Sequence, residues 1–245
     1  MSFKPLILSF SVLSFGPVIQ AKSISITPIE KVIWEKLNPA RGDKSPQAAT
    51  LWGDRHGNPA TGFLAKFVDG FSSPPHIHNV SYRAIVIEGL VHNDDPKAEF
   101  MWMPAGSYWT QPAGESHITS AKGKKNIALV EIDHGPYLVK PVKSSFDNGE
   151  RPFNIHKSNI IWRDNGEHSV VDLWADKNGK VTGSMLKFNQ KFSISDSDLK
   201  VVVIEGQVKL LNQTLKPGSL IQLSHNVKAK LDCLSPECVL YLKRS

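Results

Sequence analysis

The stretch LWGDRHGNPATGFLAKF at residues 51–67 returns later in the chain as LWADKNGKVTGSMLKF at residues 173–188. Both versions place Leu-Trp before an Asp and a Gly, and then Thr-Gly before Lys-Phe. Three more pairs of matches occur in the same order: VIW at 32–34 with IIW at 160–162, VIEG at 86–89 with VIEG at 203–206, and PAGS at 104–107 with PGS at 217–219. Self-similarity in a fixed order indicates that the chain contains two copies of one structural unit.

The repeat and the composition together predict the organisation of the chain. A length of 245 residues allows one large domain or two small ones. We expect a first domain over residues 22–148 and a second over residues 149–245, after an N-terminal segment of residues 1–21. Short runs rich in Val, Ile, Leu and aromatic residues alternate with Gly, Pro, Asn and Asp in both copies. This pattern predicts an all-β fold, either a sandwich or a barrel.

Three histidines in the first copy form a candidate metal site. His76 and His78 are two residues apart, so in an extended strand their side chains point to the same face. An HxH pair alone is a weak indication, because a surface or core pair is the commoner explanation. A third histidine, His117, ends the element Gly-x5-Pro-x-Gly-x2-His at residues 106–117.

These two elements resemble the two motifs of the cupin superfamily, in which HxH is followed by a Gly, here Gly89. The resemblance covers residues 30–135. It implies a double-stranded β-helix, or jelly-roll, barrel, and the repeat then implies a bicupin with two such barrels in tandem. The chain is most similar to the cupins of anti-sigma-factor zinc domains and β-diketone-cleaving dioxygenases, and to an uncharacterised family of exported bacterial bicupins. The resemblance implies a divalent transition metal, Fe, Zn, Ni or Mn, on His76, His78 and His117.

One position departs from the cupin pattern. The usual glutamate ligand falls at Tyr82, whose parity in the strand matches that of the histidines. Tyr82 is therefore a candidate catalytic residue that hydrogen-bonds a bound ligand, or it is an aromatic residue that lines the barrel in place of Glu. The second copy aligns Ser193, Ser195 and Ala229 with the three histidines. Because the ligands are lost as a set, we expect the second domain to be structural.

Three further residues are candidates for the surroundings of the site. Glu115 lies in the turn before His117 and either orients that imidazole or is solvated. Gln111 flanks the same turn. His92 follows Gly89, and it lines the mouth of the pocket or belongs to a turn.

The two cysteines, Cys233 and Cys238, lie in the sequence CLSPEC. Ser and Pro between them favour a tight turn that would place the two thiols opposite each other. We expect a local disulfide, since neither the spacing nor a neighbouring histidine fits a thiol metal or redox pair.

The N-terminus and the charge restrict localisation and partners. Lys4, an apolar run at 5–19 and Ala21 resemble an export signal, which predicts a periplasmic or secreted protein. The run is short and interrupted, so we expect no stable membrane insertion after cleavage, with a retained anchor as the alternative. The net charge of +6 is spread along the chain, which argues against a nucleic-acid surface. Cupins often dimerise, so the resemblance also makes a homodimer a candidate assembly.

The sequence is compatible with three functional hypotheses. The first is a metal-dependent enzyme that acts on a small oxygenated organic molecule, with dioxygenase-like chemistry for Fe, or hydrolytic or lyase chemistry for Zn. The second is a non-catalytic periplasmic module that binds or senses a metal or a small ligand. The third is a structural cupin with a fortuitous site, against which the intact spacing argues.

Overall fold

The computed structural model describes residues 23–196, 198–224 and 226–244. The predicted export signal, residues 1–21, lies outside this range. The described residues form twenty β-strands and four short 3-10 helices, at Ile29–Lys31, Pro39–Lys44, Val142–Ser144 and Lys157–Asn159. The predicted all-β fold is confirmed. Within the described ranges, no helix is long and apolar enough to cross a membrane.

The strands follow the two copies of the repeat. Up to the end of the first copy they are β1 (Ile24–Thr27), β2 (Glu35–Lys36), β3 (Gln47–Trp52), β4 (Thr61–Phe67), β5 (His76–His78), β6 (Tyr82–Asp94), β7 (Tyr108–Gln111), β8 (Ile118–Ile132) and β9 (Val139–Pro141). In the second copy they are β10 (Phe153–Ile155), β11 (Arg163–Asp164), β12 (Ser169–Ala175), β13 (Val181–Phe188), β14 (Lys191–Asp196), β15 (Leu199–Glu205), β16 (Val208–Leu210), β17 (Gln213–Leu215), β18 (Leu220–Leu223), β19 (Val227–Cys233) and β20 (Cys238–Lys243).

The two largest sheets have the same design. One has the strand order β10-β7-β6-β8-β4-β3-β2, and the other has the order β1-β18-β15-β20-β13-β12-β11. Each strand of the first sheet has its repeat counterpart at the same place in the second. A smaller sheet, β5-β9 in the first copy and β14-β19-β16-β17 in the second, completes each barrel. The architecture is that of two jelly-roll barrels.

The two copies exchange their first strands. β1 precedes the first VIW segment but pairs with β18 of the second copy. β10 precedes the matching IIW segment but pairs with β7 of the first copy. Residues 24–27, which lie within the expected bounds of the first domain (22–148), therefore belong to the sheet of the second copy.

A repeated serine anchors each exchanged segment. The hydroxyl of Ser219 accepts a hydrogen bond of 3.0 Å from the backbone N–H of Ile29, just after β1. The hydroxyl of Ser107 accepts one of 3.0 Å from the N–H of Lys157, just after β10. Both serines are fully buried. The serine of the repeated PAGS and PGS motifs therefore has a structural role in both copies.

Three apolar clusters make up the core. One fills the second barrel, with Leu199, Leu223 and Ala229 in its centre. One lies inside the first barrel beside the histidines. The third joins the two barrels and contains residues of both copies, such as Leu64 and Ile204. The two barrels are thus joined by a buried apolar cluster of their own, between the two barrel cores.

The VIEG motif marks a bulge in the central strand of each copy. The pairing of β6 with β8 shifts register at Glu88, and the pairing of β15 with β20 shifts before Glu205. The glycines that follow, Gly89 and Gly206, both have φ of 80°. An L side chain is strained at this φ, and a Cβ on Gly89 would lie 2.2 Å from Asn126 Oδ1. Both copies therefore need glycine here.

A disulfide joins Cys233 at the end of β19 to Cys238 at the start of β20. Their Cα atoms are 5.8 Å apart. This is the local pairing that the CLSPEC sequence favoured.

Candidate metal centre

Two neighbouring strands bring the three predicted histidines together. The backbone N–H of His76 donates to the carbonyl of His117 at 3.1 Å, and the N–H of His117 donates back at 3.0 Å. His78 lies two residues further along β5, on the same face as His76. One ring nitrogen from each imidazole lies within 4.8 Å of the other two. The three residues form a single cluster where β5 lies beside the residue that precedes β8.

Backbone carbonyls fix the orientation of all three rings. His76 Nδ1 lies 2.9 Å from the carbonyl oxygen of Pro74, and His78 Nδ1 lies 3.1 Å from that of Leu138. His117 Nδ1 lies 3.1 Å from the carbonyl oxygen of Glu115. A carbonyl only accepts, so each Nδ1 carries the proton and each Nε2 is the unprotonated nitrogen with the lone pair; the Nε2 of His78 lies 3.1 Å from the hydroxyl of Tyr137. This is the tautomer that a metal ion requires from histidine when Nε2 is the ligand atom.

The surroundings keep the imidazoles uncharged. Burial lowers the pKa of His76. Burial, reinforced by the charges of His117 and His76, lowers the pKa of His78 well below its usual value. Burial and then the charge of His76 lower the pKa of His117 to about 3. Neutral imidazoles are therefore present at neutral pH without any metal.

The donor set fits a divalent transition metal. His117 Nε2 is buried and has no hydrogen-bond partner. A buried polar atom without a partner is costly, and a metal ion would satisfy it. Three imidazole donors suit Fe, Ni and Zn alike, so the ligands do not select one metal.

Tyr82 lies beside the histidines, but its hydroxyl forms a hydrogen bond with a different residue. The ring lines the cavity and lies 5.3 Å from the His78 ring, centroid to centroid. The hydroxyl donates to Asn93 Oδ1 at 2.9 Å. Burial raises the pKa of Tyr82 above its usual value, so the phenol is neutral and cannot act as a general base at neutral pH. Its position fits the interpretation as a barrel-lining aromatic that replaces Glu.

A buried amide network connects Tyr82 with the turn before His117. Asn93 Nδ2 donates to Gln111 Oε1 at 2.9 Å, and Gln111 Nε2 donates to the carbonyl of Glu115 at 3.4 Å. This carbonyl also receives the Nδ1 proton of His117. Gln111 therefore supports the site through the backbone. Glu115 orients His117 with its carbonyl oxygen, whereas its carboxylate takes no part in the contact.

His92 is placed differently from either expectation. It lies within β6, fully buried, and its ring contacts the tilted ring of Phe100, with the two centroids 4.3 Å apart. It does not line the cavity. The bulge at Glu88 and Gly89 inverts the parity of the strand, so Asn93 faces the histidine side and His92 faces away. The interpretations of His92 as a turn residue and as a pocket residue are both corrected.

Two residues of the site are absent from the sequence-based set. Asn93 could have been found only by allowing for the bulge. Tyr137 follows β8, stacks on the His78 ring at 4.3 Å and donates its hydroxyl to His78 Nε2 at 3.1 Å. No cupin motif marks Tyr137. The strand after it, β9, pairs with β5 and covers the outer edge of the histidine strand.

A cavity of about 310 Å³ opens onto the histidines. His76, His78 and Tyr82 form part of its wall, and most of the remaining wall is apolar or aromatic. The lining residues from the rest of the chain are Leu37, Asn38, Arg41, Pro46, Phe63, Ala65, Phe67, Phe71, Ser73, Pro74, Trp109, Thr119, Ala128, Val130, Tyr137 and Val139. This volume is at the lower end of the range of about 300–1,000 Å³ that is typical of small-molecule sites.

The equivalent region of the second copy is filled. Ile194 pairs with Ala229 in β14 and β19, just as His76 pairs with His117. The structural counterpart of His76 is therefore Ile194, one residue from the Ser193 that the sequence alignment placed there. Leu199 takes the place of Tyr82. These apolar side chains pack together, and no group of three metal-ligating side chains other than the histidines occurs in the described residues.

The fold is shared with solved structures of very different sequence. A candidate dioxygenase of Nostoc punctiforme has a TM-score of 0.71 and 13% identity, with 91% of this chain and 83% of that one covered. A salicylate 1,2-dioxygenase of Pseudoaminobacter salicylatoxidans has a TM-score of 0.58 and 12% identity, with 93% and 83% covered. An oxalate decarboxylase of Lactobacillus farciminis has a TM-score of 0.56 and 10% identity, with 93% and 86% covered. Such low identities show the fold alone.

The described residues form a two-barrel cupin fold with one candidate metal site, the histidine cluster of the first barrel. The family model described as "Domain of unknown function (DUF4437)" matches residues 25–245. The chain therefore belongs to the DUF4437 family. No curated protein matches it.

Proposed function

We propose that this protein is an exported, metal-dependent enzyme. In this proposal His76, His78 and His117 hold one divalent transition metal, and the cavity above them admits a small oxygenated organic molecule. The observation that carries the proposal is the convergence of three neutral imidazoles whose Nδ1 protons are all committed to backbone carbonyls. Dioxygenase-type chemistry is the first candidate, and the resemblance of the histidine motifs to those of β-diketone-cleaving dioxygenases supports it.

The protein's own residues prepare the site for this chemistry. A bound metal would supply Lewis acidity, or electron exchange with O₂ if it is redox-active. The carbonyls of Pro74, Leu138 and Glu115 hold the three rings in place without rearrangement. Aromatic walls such as Phe63 and Trp109 exclude water, which strengthens electrostatic interactions at the site.

We also propose a location and an assembly. The predicted export signal and the disulfide support a periplasmic or secreted protein, because disulfides persist in oxidising compartments. We expect no nucleic-acid partner, no stable membrane insertion after signal cleavage, and a homodimer as the candidate assembly.

A second candidate function is non-catalytic binding or sensing of a metal or small ligand. The cavity lining favours it in one respect, since it contains no Asp or Glu and its tyrosines have raised pKa values. Apart from the histidines, the described lining therefore offers no general base. Enzymatic turnover would then depend on the metal and O₂ alone.

Metal analysis and activity separate these functions. Protein purified from its own compartment should contain about one transition metal per chain by mass spectrometry. His76→Ala, His78→Ala and His117→Ala should each remove most of it, whereas His134→Ala, on an exposed loop, should not. If all three site variants keep their metal, the site assignment is wrong. Iron with substrate-dependent O₂ uptake would support the enzyme, and tightly bound zinc without turnover would support the binding module.

A further inference from the structure

Arg41 adds a positive charge to the cavity wall, and it is not one of the three candidate metal ligands. It is the one side chain with a permanent charge among the described residues that line the cavity. The same lining contains no Asp, Glu or Lys. A lone guanidinium at a largely apolar wall is suited to recognise an anion.

The segment that carries Arg41 is held in a defined shape. It is the strap, residues 37–46, between β2 and β3. The Leu37 N–H donates to the carbonyl of Pro46 at 2.8 Å, which closes the strap at its base. The Asn38 N–H donates to Ser45 Oγ at 2.9 Å, and the Arg41 N–H donates to the Asn38 carbonyl at 3.0 Å. The strap therefore presents Arg41 without further ordering of its backbone.

The guanidinium is oriented but not neutralised. Its carbon atom lies 5.2 Å from the centroid of the Phe71 ring, a distance typical of a cation–π contact. The acidic residue of the strap, Asp43, pairs instead with Lys36 at 3.1 Å. Among the described residues, no carboxylate lies within ion-pair distance of Arg41. Its hydrogen-bond donors remain available to a ligand.

The apolar residues of the cavity wall indicate which kind of ligand would fit beside Arg41. Phe63, Phe67, Phe71 and Trp109 supply aromatic surface, and Val130 adds an aliphatic patch. Burying apolar surface here favours a ligand with an aromatic or branched apolar body. The small volume of the cavity limits the ligand to a small molecule.

Building on the proposed function, we propose that the cavity binds a small organic carboxylate with an apolar body. Arg41 holds the carboxylate, because the planar guanidinium matches the two carboxylate oxygens in a bidentate pair. The apolar body lies along the aromatic wall, and the far end of the molecule faces the histidines. A neutral analogue loses the charge-assisted contact, and a cationic analogue is repelled by Arg41.

Calorimetric titration of the full chain tests this assignment, with zinc-loaded and metal-free protein. The probes are hydrocinnamate, its neutral amide and phenylpropylamine, which share an aromatic body and differ in charge. We expect hydrocinnamate to bind at least about tenfold more tightly than the amide, and the amine to bind most weakly. Arg41→Gln should remove the preference for the carboxylate and leave the affinity for the amide unchanged. Arg41→Lys should restore part of the preference, since it keeps the charge but not the planar fork.

Lys44→Gln is the matched control. It removes the same charge from the same strap, and Lys44 is exposed like Arg41 but does not line the cavity. It should keep the carboxylate preference, and both variants should unfold at the same temperature as the natural chain. The proposal is overturned if hydrocinnamate does not bind, if it binds no better than the amide, or if Lys44→Gln loses the preference as fully as Arg41→Gln does.

The metal-free titration separates this proposal from the proposed function. A carboxylate preference that appears only with zinc and survives in Arg41→Gln would mean that the metal binds the carboxylate, which overturns the role of Arg41 but not the metal site. A preference that depends on Arg41 in protein that binds no metal would support the role of Arg41 and contradict the metal-dependent function.

Discussion

At the scale of single residues, His117 combines complete burial with an ionisable ring. Its usual pKa of 6.5 falls to about 3 because burial, and then the charge of His76, oppose protonation. The unfolded chain takes up this proton near pH 6.5, whereas the folded chain does not until much lower pH. The contribution of His117 to the free energy of unfolding is therefore fully present above about pH 6.5. It is lost as the pH falls towards 3.

This difference predicts acid sensitivity of the metal-free protein. Between about pH 7.5 and pH 5, His117 alone should remove about 2 kcal/mol from the free energy of unfolding. His117→Gln lacks the titrating group, so its stability should fall by about that much less over the same interval. Urea denaturation of the metal-free proteins at both pH values measures the two slopes. Equal slopes would show that His117 does not titrate differently in the folded and unfolded chains.

Tyr137 affects the site through one hydroxyl. This hydroxyl donates to His78 Nε2, the atom with which His78 would bind a metal. A metal on that atom displaces a hydrogen bond of about 1 kcal/mol and leaves a buried phenol without its partner. Tyr137→Phe should therefore tighten zinc binding by about threefold to tenfold, because the competing bond is removed while the ring stacking remains.

Competition with a chromophoric chelator measures this change in zinc affinity. Tyr108→Phe is a suitable control, since its half-buried ring packs against Phe153 and Trp174 outside the cavity. The control should match the natural chain. Weaker zinc binding in Tyr137→Phe would mean that the phenol supports the ion instead of competing with the metal for His78.

At the scale of strands, the exchange of β1 and β10 means that the first strand of each copy stabilises the sheet of the other copy. Ile26 in β1 lies opposite Ile221 of β18 and packs against the core of the second barrel. Ile26→Ala should lower the free energy of unfolding by about 1 to 2 kcal/mol, less than for a fully buried isoleucine. Hydrogen exchange should accelerate more in β18, which would lose part of its edge partner and open locally, than in β7, where only the lower global stability acts. Ser25→Ala, exposed in the same strand, should change neither quantity, and acceleration confined to the first barrel would contradict the exchange.

The sequence predicts the repeated units and the histidine cluster because both depend on local rules. Alternation in an extended strand places His76 and His78 on one face, and fixed spacing brings His117 to them. The bulge in β6 breaks that alternation, which is why the sequence did not assign Asn93 to the site and misplaced His92. Tyr137 reaches the site through a loop without a repeated motif. The sequence does not predict the strand exchange, for another reason. The repeated residues are the same whether the first strand of a copy pairs within that copy or with the other copy.

At the scale of the whole molecule, the two barrels share buried contacts that neither can satisfy alone. The apolar cluster between them includes Leu64 from the first copy and Ile204 from the second, both fully buried. Beside it, the buried carboxylate of Glu131 accepts hydrogen bonds from Tyr241 at 2.5 Å and from Lys243 at 2.6 Å. Separating the barrels would expose this apolar surface and remove two partners from the Glu131 carboxylate, which would keep only its 3.3 Å contact with Arg83 of its own copy. We therefore expect the two copies to unfold as one cooperative unit.

This coupling predicts that metal in the first barrel protects the second. Zinc at about a hundred times its dissociation constant stabilises the folded state by about 2.7 kcal/mol and should slow exchange through global unfolding by about a hundredfold. Because the second barrel unfolds together with the first, amides of β15 and β20 should slow by the same factor as those of β6 and β8. Hydrogen-exchange mass spectrometry with and without zinc measures all four strands. His117→Ala should show no protection in either barrel, and protection restricted to β6 and β8 would show that the second copy unfolds independently of the site it supports.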